Sequence, residues 1–195
     1  MNKKRALISV YDKTGVLDFT RGLVSMGYEI VSTGSTAEYL RDGGIEVINV
    51  SDVTGFPECL GGRVKTLHPA IHAGLLAIRN DAGHMEQIAE LHIKTIDVIA
   101  CNLYPFEATI QKPGVSLAEA IEQIDIGGPS MLRAAAKNYQ DVIAIVDPED
   151  YEGVISQMKQ NGDVSQENRL KLCAKVFERA AAYDALIARY LQAQL

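Results

Sequence analysis

The sequence has little of what marks several large classes of protein. Its 195 residues include only three cysteines, Cys59, Cys101 and Cys173, widely spaced and without a C-x-x-C pair. This argues against a disulfide framework or a zinc ribbon and favours a reducing compartment. No apolar run reaches the roughly 18 residues of a membrane span, and the run after the basic N-terminus is too short for a signal peptide. We therefore expect a soluble, cytoplasmic protein.

Positive charge is also scarce. The chain has 19 Lys+Arg against 25 Asp+Glu, a formal net charge of −6, so it lacks the basic surface that binds nucleic acids or anionic membranes. A small anionic ligand needs only a local cluster of bases. The motifs G-x-G-x-x-G, Walker A, G-x-S-x-G and H-E-x-x-H are absent, so the common fingerprints for dinucleotides, P-loop phosphates, serine hydrolases and zinc proteases are missing.

What is present is an alternation of short apolar runs and helical patterns. Apolar runs predict strands over 6–10, 28–32, 46–50, 96–102 and 142–146. Helical periodicity predicts helices between the caps Asp12 or Thr14 and Gly27, and over 35–40, 84–91, 116–123, 129–138, 149–159 and 166–190. In residues 51–80 glycine and proline accumulate, but apolar residues continue, so we expect an ordered segment. The sequence predicts one α/β domain over 1–195, a doubly wound parallel sheet of about five strands with a C-terminal helical arm from about residue 165.

Polar residues follow three of the predicted strands, at the ends where open α/β sheets bind ligands. The segments that contain them are Tyr11, Asp12 and Lys13 after the first strand, Thr33, Gly34, Ser35 and Thr36 after the second, and Cys101, Asn102, Leu103 and Tyr104 around the end of the fourth. Segment 33–36 opens a helix whose free N–H groups favour an anion, although Ser35 is equally suited to be an ordinary N-cap. With the charge of Lys13 nearby, this region predicts a phosphate cradle.

Two pairs of basic residues lie outside these strand ends. Arg63 and Lys65 are two residues apart, so in an extended backbone they face the same way, either toward a ligand or into solvent. Arg133 and Lys137 share a helix face and repel each other unless an acid or an anion faces them. We expect Asp125 to be that acid, because a Gly-Gly pair between it and the helix opens the helix N–H groups to a ligand.

Two histidines have a spacing that suits a metal. His68 and His72 would lie on one face of a helix, but Pro69 restricts the backbone at His68 and no third ligand is close in sequence. We therefore predict no metal site.

Four longer blocks of sequence resemble one known family. They are residues 9–15, 61–69 continued by 71–74, 101–106, and 122–128 followed by 132–138. In this order they closely resemble the IMP cyclohydrolase (inosinicase) domain of bifunctional purine biosynthesis proteins, which also carry an AICAR transformylase domain. The resemblance implies a methylglyoxal-synthase-like fold. It also implies that the chain corresponds to the cyclohydrolase half, with the transformylase domain absent.

The resemblance further implies a reaction and its residues. The reaction is the dehydrative ring closure of 5-formamidoimidazole-4-carboxamide ribonucleotide to inosine 5′-monophosphate, the last step of de novo purine synthesis, without a metal or other cofactor. Catalytic roles fall to Lys65, Tyr104, Asp125 and Lys137. Substrate binding falls to Tyr11, Asp12, Lys13, Thr33, Gly34, Ser35, Thr36, Arg63, Val64, Lys65, Thr66, Cys101, Asn102, Leu103, Asp125, Ile126, Gly127 and Gly128. The partner is a small purine nucleotide, with no nucleic acid and no membrane, and a homodimer is compatible with the resemblance.

The chain departs from the family pattern in three places. Tyr11 stands where serine is expected, and Ser35 stands where glycine is commoner. Arg179 and Ala180 fall where the family has His-Thr, and we assign no function to segment 176–184. Two other readings share the fold: a non-catalytic regulatory module that binds a nucleotide, and a methylglyoxal synthase. The first should lack the four catalytic residues, and residues 63–66 argue against the second.

Overall fold

The computed structural model describes residues 3–195, so the first two residues of the predicted domain 1–195 lie outside the described residues. Its centre is a sheet of five strands in the order β3-β2-β1-β4-β5, with every neighbouring pair parallel. The strands are Arg5–Ser9 (β1), Glu29–Ser32 (β2), Ile48–Asn49 (β3), Val98–Cys101 (β4) and Ile143–Ile145 (β5). The predicted doubly wound parallel sheet is confirmed.

The strand order reverses at one point. The chain passes outward from β1 through β2 to β3, then returns to place β4 on the other side of β1. The carboxyl ends of β1 and β4 therefore lie side by side. In an open parallel sheet this is where the loops separate and leave a crevice for a ligand.

Ten α-helices surround the sheet in the part of the chain described. They are Val16–Ser25 (α1), Gly34–Asp42 (α2), Val50–Thr54 (α3), Pro69–Leu76 (α4), Ala82–Glu90 (α5), Phe106–Ile110 (α6), Leu117–Glu122 (α7), Gly127–Lys137 (α8), Tyr151–Asn161 (α9) and Gln166–Gln192 (α10). All seven predicted helices are present with shifted ends. Within residues 3–195, no helix combines the length and the apolar character that a bilayer crossing requires.

The alternation of side chains along the strands divides the core in two. In β1, Ala6 and Ile8 face one side and Leu7 faces the other. The first side is covered by α1 and α9, whose Phe19 and Tyr151 rings stack at 4.4 Å. The second side is covered by α4, α8 and α10. The C-terminal helix is thus part of the core along its first half, where Val176 is fully buried.

The structure differs from the sequence prediction mainly between residues 46 and 80. The predicted strand 46–50 is reduced to Ile48–Asn49, because Asn49 and Asp52 form a capping box that starts α3 at Val50. Helix α4 was not predicted because it is apolar on nearly all sides and has no amphipathic period. Ile71 and Leu75 of this helix are fully buried. Their burial explains why this glycine-rich segment is ordered.

Candidate active site

The side-chain amide of Asn102 connects the loops that follow β1 and β4 at the crevice. The side-chain oxygen of Asn102, after β4, accepts bonds from the backbone N–H groups of Tyr11 at 2.6 Å and Asp12 at 3.0 Å. Its side-chain nitrogen donates to the Asp12 carbonyl at 3.2 Å. These bonds use both acceptor positions of the amide oxygen. Asn102 therefore fixes the wall of the crevice, while the direct substrate contact implied for it stays a prediction.

A compact group of polar side chains lies at the ends of β1 and β2. We call Ser9, Lys13, Thr33, Gly34, Ser35 and Thr36 the cradle. The Lys13 ammonium donates to Thr36 Oγ1 at 3.1 Å and also to the Val10 carbonyl. Thr36 Oγ1 donates to the same carbonyl at 2.9 Å, and the hydroxyls of Ser9 and Thr33 lie 3.2 Å apart. Burial lowers the pKa of Lys13, against the opposing effect of Asp12.

The N-terminus of α2 opens into the cradle. The helix begins at Gly34, with a φ of 47°, and Thr33 is the N-cap residue but makes no side-chain capping bond. The interpretation of Ser35 as the N-cap is wrong, since Ser35 is already within the first turn. Asp12 likewise accepts the Thr14 N–H at 2.9 Å instead of capping α1, whose N-cap is Gly15. The first-turn N–H groups of α2, having no side-chain cap, are suited to an anion.

A larger cavity of about 410 Å³ adjoins the cradle. We call the segments that bound it, 58–66 and 121–127, the mouth. Arg63 and Lys65 both line this cavity, so the structure brings them to one space. Arg63 also forms a two-bond ion pair across the mouth, from Nε to Glu122 Oε1 at 3.2 Å and from Nη2 to Oε2 at 2.5 Å. Both side chains are exposed, so this pair holds the mouth together only weakly.

Lys65 lies at the junction of the cavities. It lines the 410 Å³ cavity of the mouth, a cavity of about 80 Å³ within the cradle, and a third of about 290 Å³ beside Asn49 and Phe56. Tyr104 and Asp125 line the first two of these as well. Three of the four residues expected to be catalytic therefore meet where the cradle and the mouth join.

Asp125 is held in a turn between α7 and α8. Its Oδ1 accepts the Gly128 N–H at 2.9 Å. Burial raises the pKa of Asp125, and the backbone N–H groups of Gly128 and Tyr104, together with the charge of Lys65, act in the opposite direction. A carboxyl group in such surroundings takes up a proton more readily than an exposed one, which suits a group that accepts a proton during a reaction.

At the start of α8, neighbouring side chains come so close to Gly127 and Gly128 that neither position has room for a Cβ atom. A Cβ on Gly128 would lie 2.4 Å from Asp125 Oδ2, and a Cβ on Gly127 would lie 2.7 Å from Thr66 Oγ1. Neither distance is compatible with a side chain. Glycine at these two positions therefore lets the carboxylate and the loop that carries Lys65 approach the helix end.

Lys137 lies away from these residues. It is in the last turn of α8, ten residues beyond Gly127, which corresponds to about 15 Å of helix. In the described part of the chain it lines none of the three cavities and makes no ion pair with Asp125. The predicted pairing is wrong because Asp125 precedes the helix that Lys137 ends. Arg133, on the same helix, lies over the Phe177 ring of α10 at 5.3 Å.

The remaining predicted binding residues take varied positions. Tyr11 is exposed, and its ring meets that of Tyr104 edge-on at 6.1 Å. Val64 pairs with Cys59 in a two-residue bridge, Thr66 and Cys101 are buried, Leu103 packs on the core, and Ile126 is exposed at the mouth. Burial raises the pKa of the Cys101 thiol, so this cysteine is not an activated nucleophile.

The two histidines have different surroundings. His68 is the N-cap of α4, and its Nδ1 accepts the Ala70 N–H at 3.1 Å. His72 is partly buried, which lowers its pKa, and its Nε2 has no partner among the described residues. Across residues 3–195, no three His, Cys, Asp or Glu side chains are grouped as a metal site.

Sequence reasoning missed two residues that contact the site. Glu122 lies in a recognised block, but its pairing with Arg63 has no local signal because 59 residues separate them. Tyr183 belongs to α10, and its hydroxyl accepts the Asp125 N–H at 2.8 Å. A buried tyrosine usually bonds its hydroxyl to some partner, and this general rule was the only available hint.

Comparison with known proteins identifies relatives of the chain. Residues 15–130 match the family model "MGS-like domain", and residues 135–195 match "AICARFT/IMPCHase bienzyme". The chain is 62% identical to the bifunctional purine biosynthesis protein PurH of Acetivibrio thermocellus, covering 98% of this chain and 37% of that protein. The PurH of Bacillus mycoides is 56% identical, with 99% and 38% covered.

A solved structure described as "Crystal structure of ForH" superposes with a TM-score of 0.86 at 37% identity, covering 96% of this chain and 98% of that one. The chain spans about 37% of the length of the PurH relatives. The MGS-like model matches more than half of the chain, and the PurH relatives match nearly all of it. The chain therefore belongs to the MGS-like domain family and is a homologue of the IMP cyclohydrolase part of PurH proteins.

Proposed function

We propose that this chain is an IMP cyclohydrolase, which closes 5-formamidoimidazole-4-carboxamide ribonucleotide to inosine 5′-monophosphate with loss of water. One observation carries the proposal: Lys65, Tyr104 and Asp125 meet between an anion cradle and a cavity of about 410 Å³. The similarity to PurH over nearly the whole chain also supports it.

The two parts of the site suit the two parts of a nucleotide. In this proposal the 5′-phosphate binds in the cradle, where Lys13 supplies a charge and α2 supplies backbone N–H groups. The base and its open formamido arm occupy the mouth, beside Lys65 and Asp125. The site therefore separates binding of the phosphate from the reacting atoms.

The reaction requires donors and a base at particular atoms. The carboxamide nitrogen attacks the formyl carbon and forms the new C–N bond, and negative charge develops on the formyl oxygen. In this proposal Lys65 and the N–H of Gly127, which both line the mouth, stabilise that oxygen. Asp125 accepts the proton that the carboxamide nitrogen loses, and Tyr104 relays or orients that proton.

The second half of the reaction removes water. The formyl oxygen leaves as water after accepting protons, the formamido nitrogen loses its hydrogen, and the carbon–nitrogen double bond of the purine forms. No atom is oxidised or reduced in this sequence, so the proposed reaction needs no redox cofactor. Because both reacting groups belong to one substrate, holding them in attack geometry is a large part of the catalysis.

The proposal also concerns partners and location. The substrate is a small purine nucleotide, with neither nucleic acid nor membrane as a partner, and the protein is cytoplasmic. A homodimer stays a prediction, as does the catalytic role of Lys137. The similarity to purine biosynthesis proteins supports the nucleotide substrate. The net charge of −6 argues against nucleic acids and anionic membranes as partners.

The direct test mixes the purified chain with the formylated ribonucleotide and follows the absorbance of the purine product. We expect acceleration over buffer that a strong chelator does not abolish. Lys65→Ala should lower kcat about 100-fold or more, with a smaller change in KM. Lys159→Ala, at an exposed position of α9, is the matched control and should behave as the parent chain.

Three outcomes contradict parts of this proposal. Tight binding of the nucleotide without turnover would favour a regulatory module. Turnover of a triose phosphate instead would favour a methylglyoxal synthase. If Lys65→Ala raises KM and leaves kcat unchanged, Lys65 binds the ground state and the transition state equally, and the role given to it is wrong.

A further inference from the structure

The hydroxyl of Tyr183 links the C-terminal helix to the turn that carries Asp125. Tyr183 is buried on α10, 58 residues beyond Asp125 in the chain. Its oxygen accepts the Asp125 N–H at 2.8 Å and donates to the Gln123 carbonyl at 3.3 Å. One side chain therefore bonds to two backbone groups of the same turn.

This turn has few other restraints. Gln123 and Ile124 donate their N–H groups back into α7, to Ala120 and Ile121. The N–H of Asp125 has Tyr183 as its partner, where a regular helix would offer a carbonyl. A buried N–H without an acceptor is costly, so the phenol takes the place of a backbone partner.

We propose that Tyr183 is a positioning residue, whose hydroxyl holds the turn 123–126 so that the Asp125 carboxylate stays against the start of α8 and faces Lys65. The importance of this for turnover rests on the proposed cyclohydrolase function. The geometry itself does not depend on which reaction the site performs.

The ring of Tyr183 and its hydroxyl make different contacts, which can be tested separately. The ring packs edge-to-face on Phe106 at 6.3 Å. Tyr190, two turns further along α10, packs edge-to-face on the same ring at 5.6 Å. In the described part of the chain the Tyr190 hydroxyl makes no hydrogen bond. The two tyrosines thus share one packing partner and differ in what the hydroxyl does, which provides a matched pair for experiment.

The charged, titratable and hydrogen-bonding groups that face Asp125 come from four segments. Lys65 faces it from the loop 58–66, Cys101 and Tyr104 from the end of β4, Gly128 from α8 through its N–H, and Tyr183 from α10. The Gly128 N–H lowers the pKa of Asp125 against the effect of burial. If the turn relaxes, that bond weakens and the pKa rises further.

The experiment compares Tyr183→Phe with Tyr190→Phe in the whole chain. We expect Tyr183→Phe to lower kcat about 10-fold, with KM within about twofold, because the reacting group is displaced while the cradle is intact. The acidic limb of the kcat/KM profile should move to higher pH. Tyr190→Phe should leave kcat and this limb unchanged. Thermal unfolding of both variants measures the stability that each hydroxyl contributes.

A second readout is independent of turnover. The titration of the Asp125 carboxyl carbon, followed by ¹³C NMR, should shift to higher pH in Tyr183→Phe and not in Tyr190→Phe. If the parent chain forms no product, the cyclohydrolase proposal fails, and this titration still decides the role of Tyr183. An unshifted Asp125 titration in Tyr183→Phe, whether or not stability falls, would reduce Tyr183 to a packing residue and overturn the proposal.

Discussion

In the cradle, Lys13 and Thr36 are bonded to the carbonyl of Val10 at the end of β1, whereas in the mouth Arg63 and Glu122 bridge two segments outside the sheet. The cradle takes its geometry from the ends of β1 and β2 and from the start of α2, and of its six residues Thr36 is buried. The mouth depends on an exposed ion pair, two glycines and a turn fixed by a distant tyrosine. If the proposed function is correct, phosphate binding and chemistry rest on separate supports, and we expect mutations to alter them independently.

The largest expected effect comes from removing the carboxylate of the mouth. Asp125→Asn should lower kcat about 100-fold or more, with KM changed by only a few fold, because the cradle still holds the phosphate. Steady-state kinetics with the formylated ribonucleotide measure this split. A rise in KM with unchanged kcat would show that Asp125 belongs with the cradle as a binding residue.

The same variant has a predicted effect on stability, whose sign follows from the raised pKa of Asp125. A raised folded-state pKa means that the folded protein prefers the protonated carboxyl, so stability falls as the pH rises through that pKa. Asparagine does not ionise, so Asp125→Asn should be more stable by about 1 kcal/mol at neutral pH. This gain should disappear below the unfolded-state pKa of about 3.9. Urea unfolding at both pH values tests it, and a loss of stability at neutral pH would contradict it.

An intermediate effect is expected in the cradle. Lys13→Met should raise KM, and the Kd for the nucleotide product, about 10- to 100-fold, because a charged donor is lost from the phosphate site. The kcat should change little, since this contact is the same in the ground state and the transition state. Calorimetric titration with inosine monophosphate measures the binding, and Lys112→Met at an exposed position is the control. A fall in kcat without a change in KM would show that Lys13 acts on the chemical step, which would contradict the assignment of binding to the cradle and chemistry to the mouth.

The smallest effect is expected at the exposed ion pair. Glu122→Gln releases Arg63 for the ligand, so KM should fall by no more than about fivefold, and the midpoint of urea unfolding should hardly move because the pair is exposed. The difference from the parent chain should fade as salt is added. Glu167→Gln, which breaks the exposed Glu167–Lys171 pair on α10, removes a similar pair away from the site and should not alter KM. An effect on kcat as large as that of Asp125→Asn would mean that Glu122 takes part in the chemistry.

The parts of the molecule that could be predicted from sequence are those with local signals. The runs that became β1, β2, β4 and β5 are short and apolar, and the polar residues after β1, β2 and β4 lie at one edge of the sheet because parallel strands end there. Helix α4 gave no such signal, because apolar residues on nearly all of its sides, including the exposed Leu76, leave no amphipathic period.

Contacts between distant residues were beyond local reasoning. The like charges of Arg133 and Lys137 suggested an opposing acid, and Asp125 was expected to be that acid, but the helix that begins at Gly127 carries Lys137 away from the site. Tyr183 reaches Asp125 only because α10 packs against the side of the sheet that α8 also covers. Such a contact depends on the complete fold, and no pattern within either segment encodes it.

The two glycines that begin α8 have a consequence for sequence variation. Their φ values are ordinary, so the backbone would accept any amino acid, and only the neighbouring Thr66 and Asp125 exclude a side chain. Gly153, inside α9, has open space around the corresponding Cβ position. In a library varied at all three positions and selected for folded protein, Gly153 should be replaced freely by alanine. At Gly127 and Gly128, substitutions should survive only together with changes at Thr66 or Asp125, the residues that a new side chain would contact. We therefore expect these positions to vary in a correlated way.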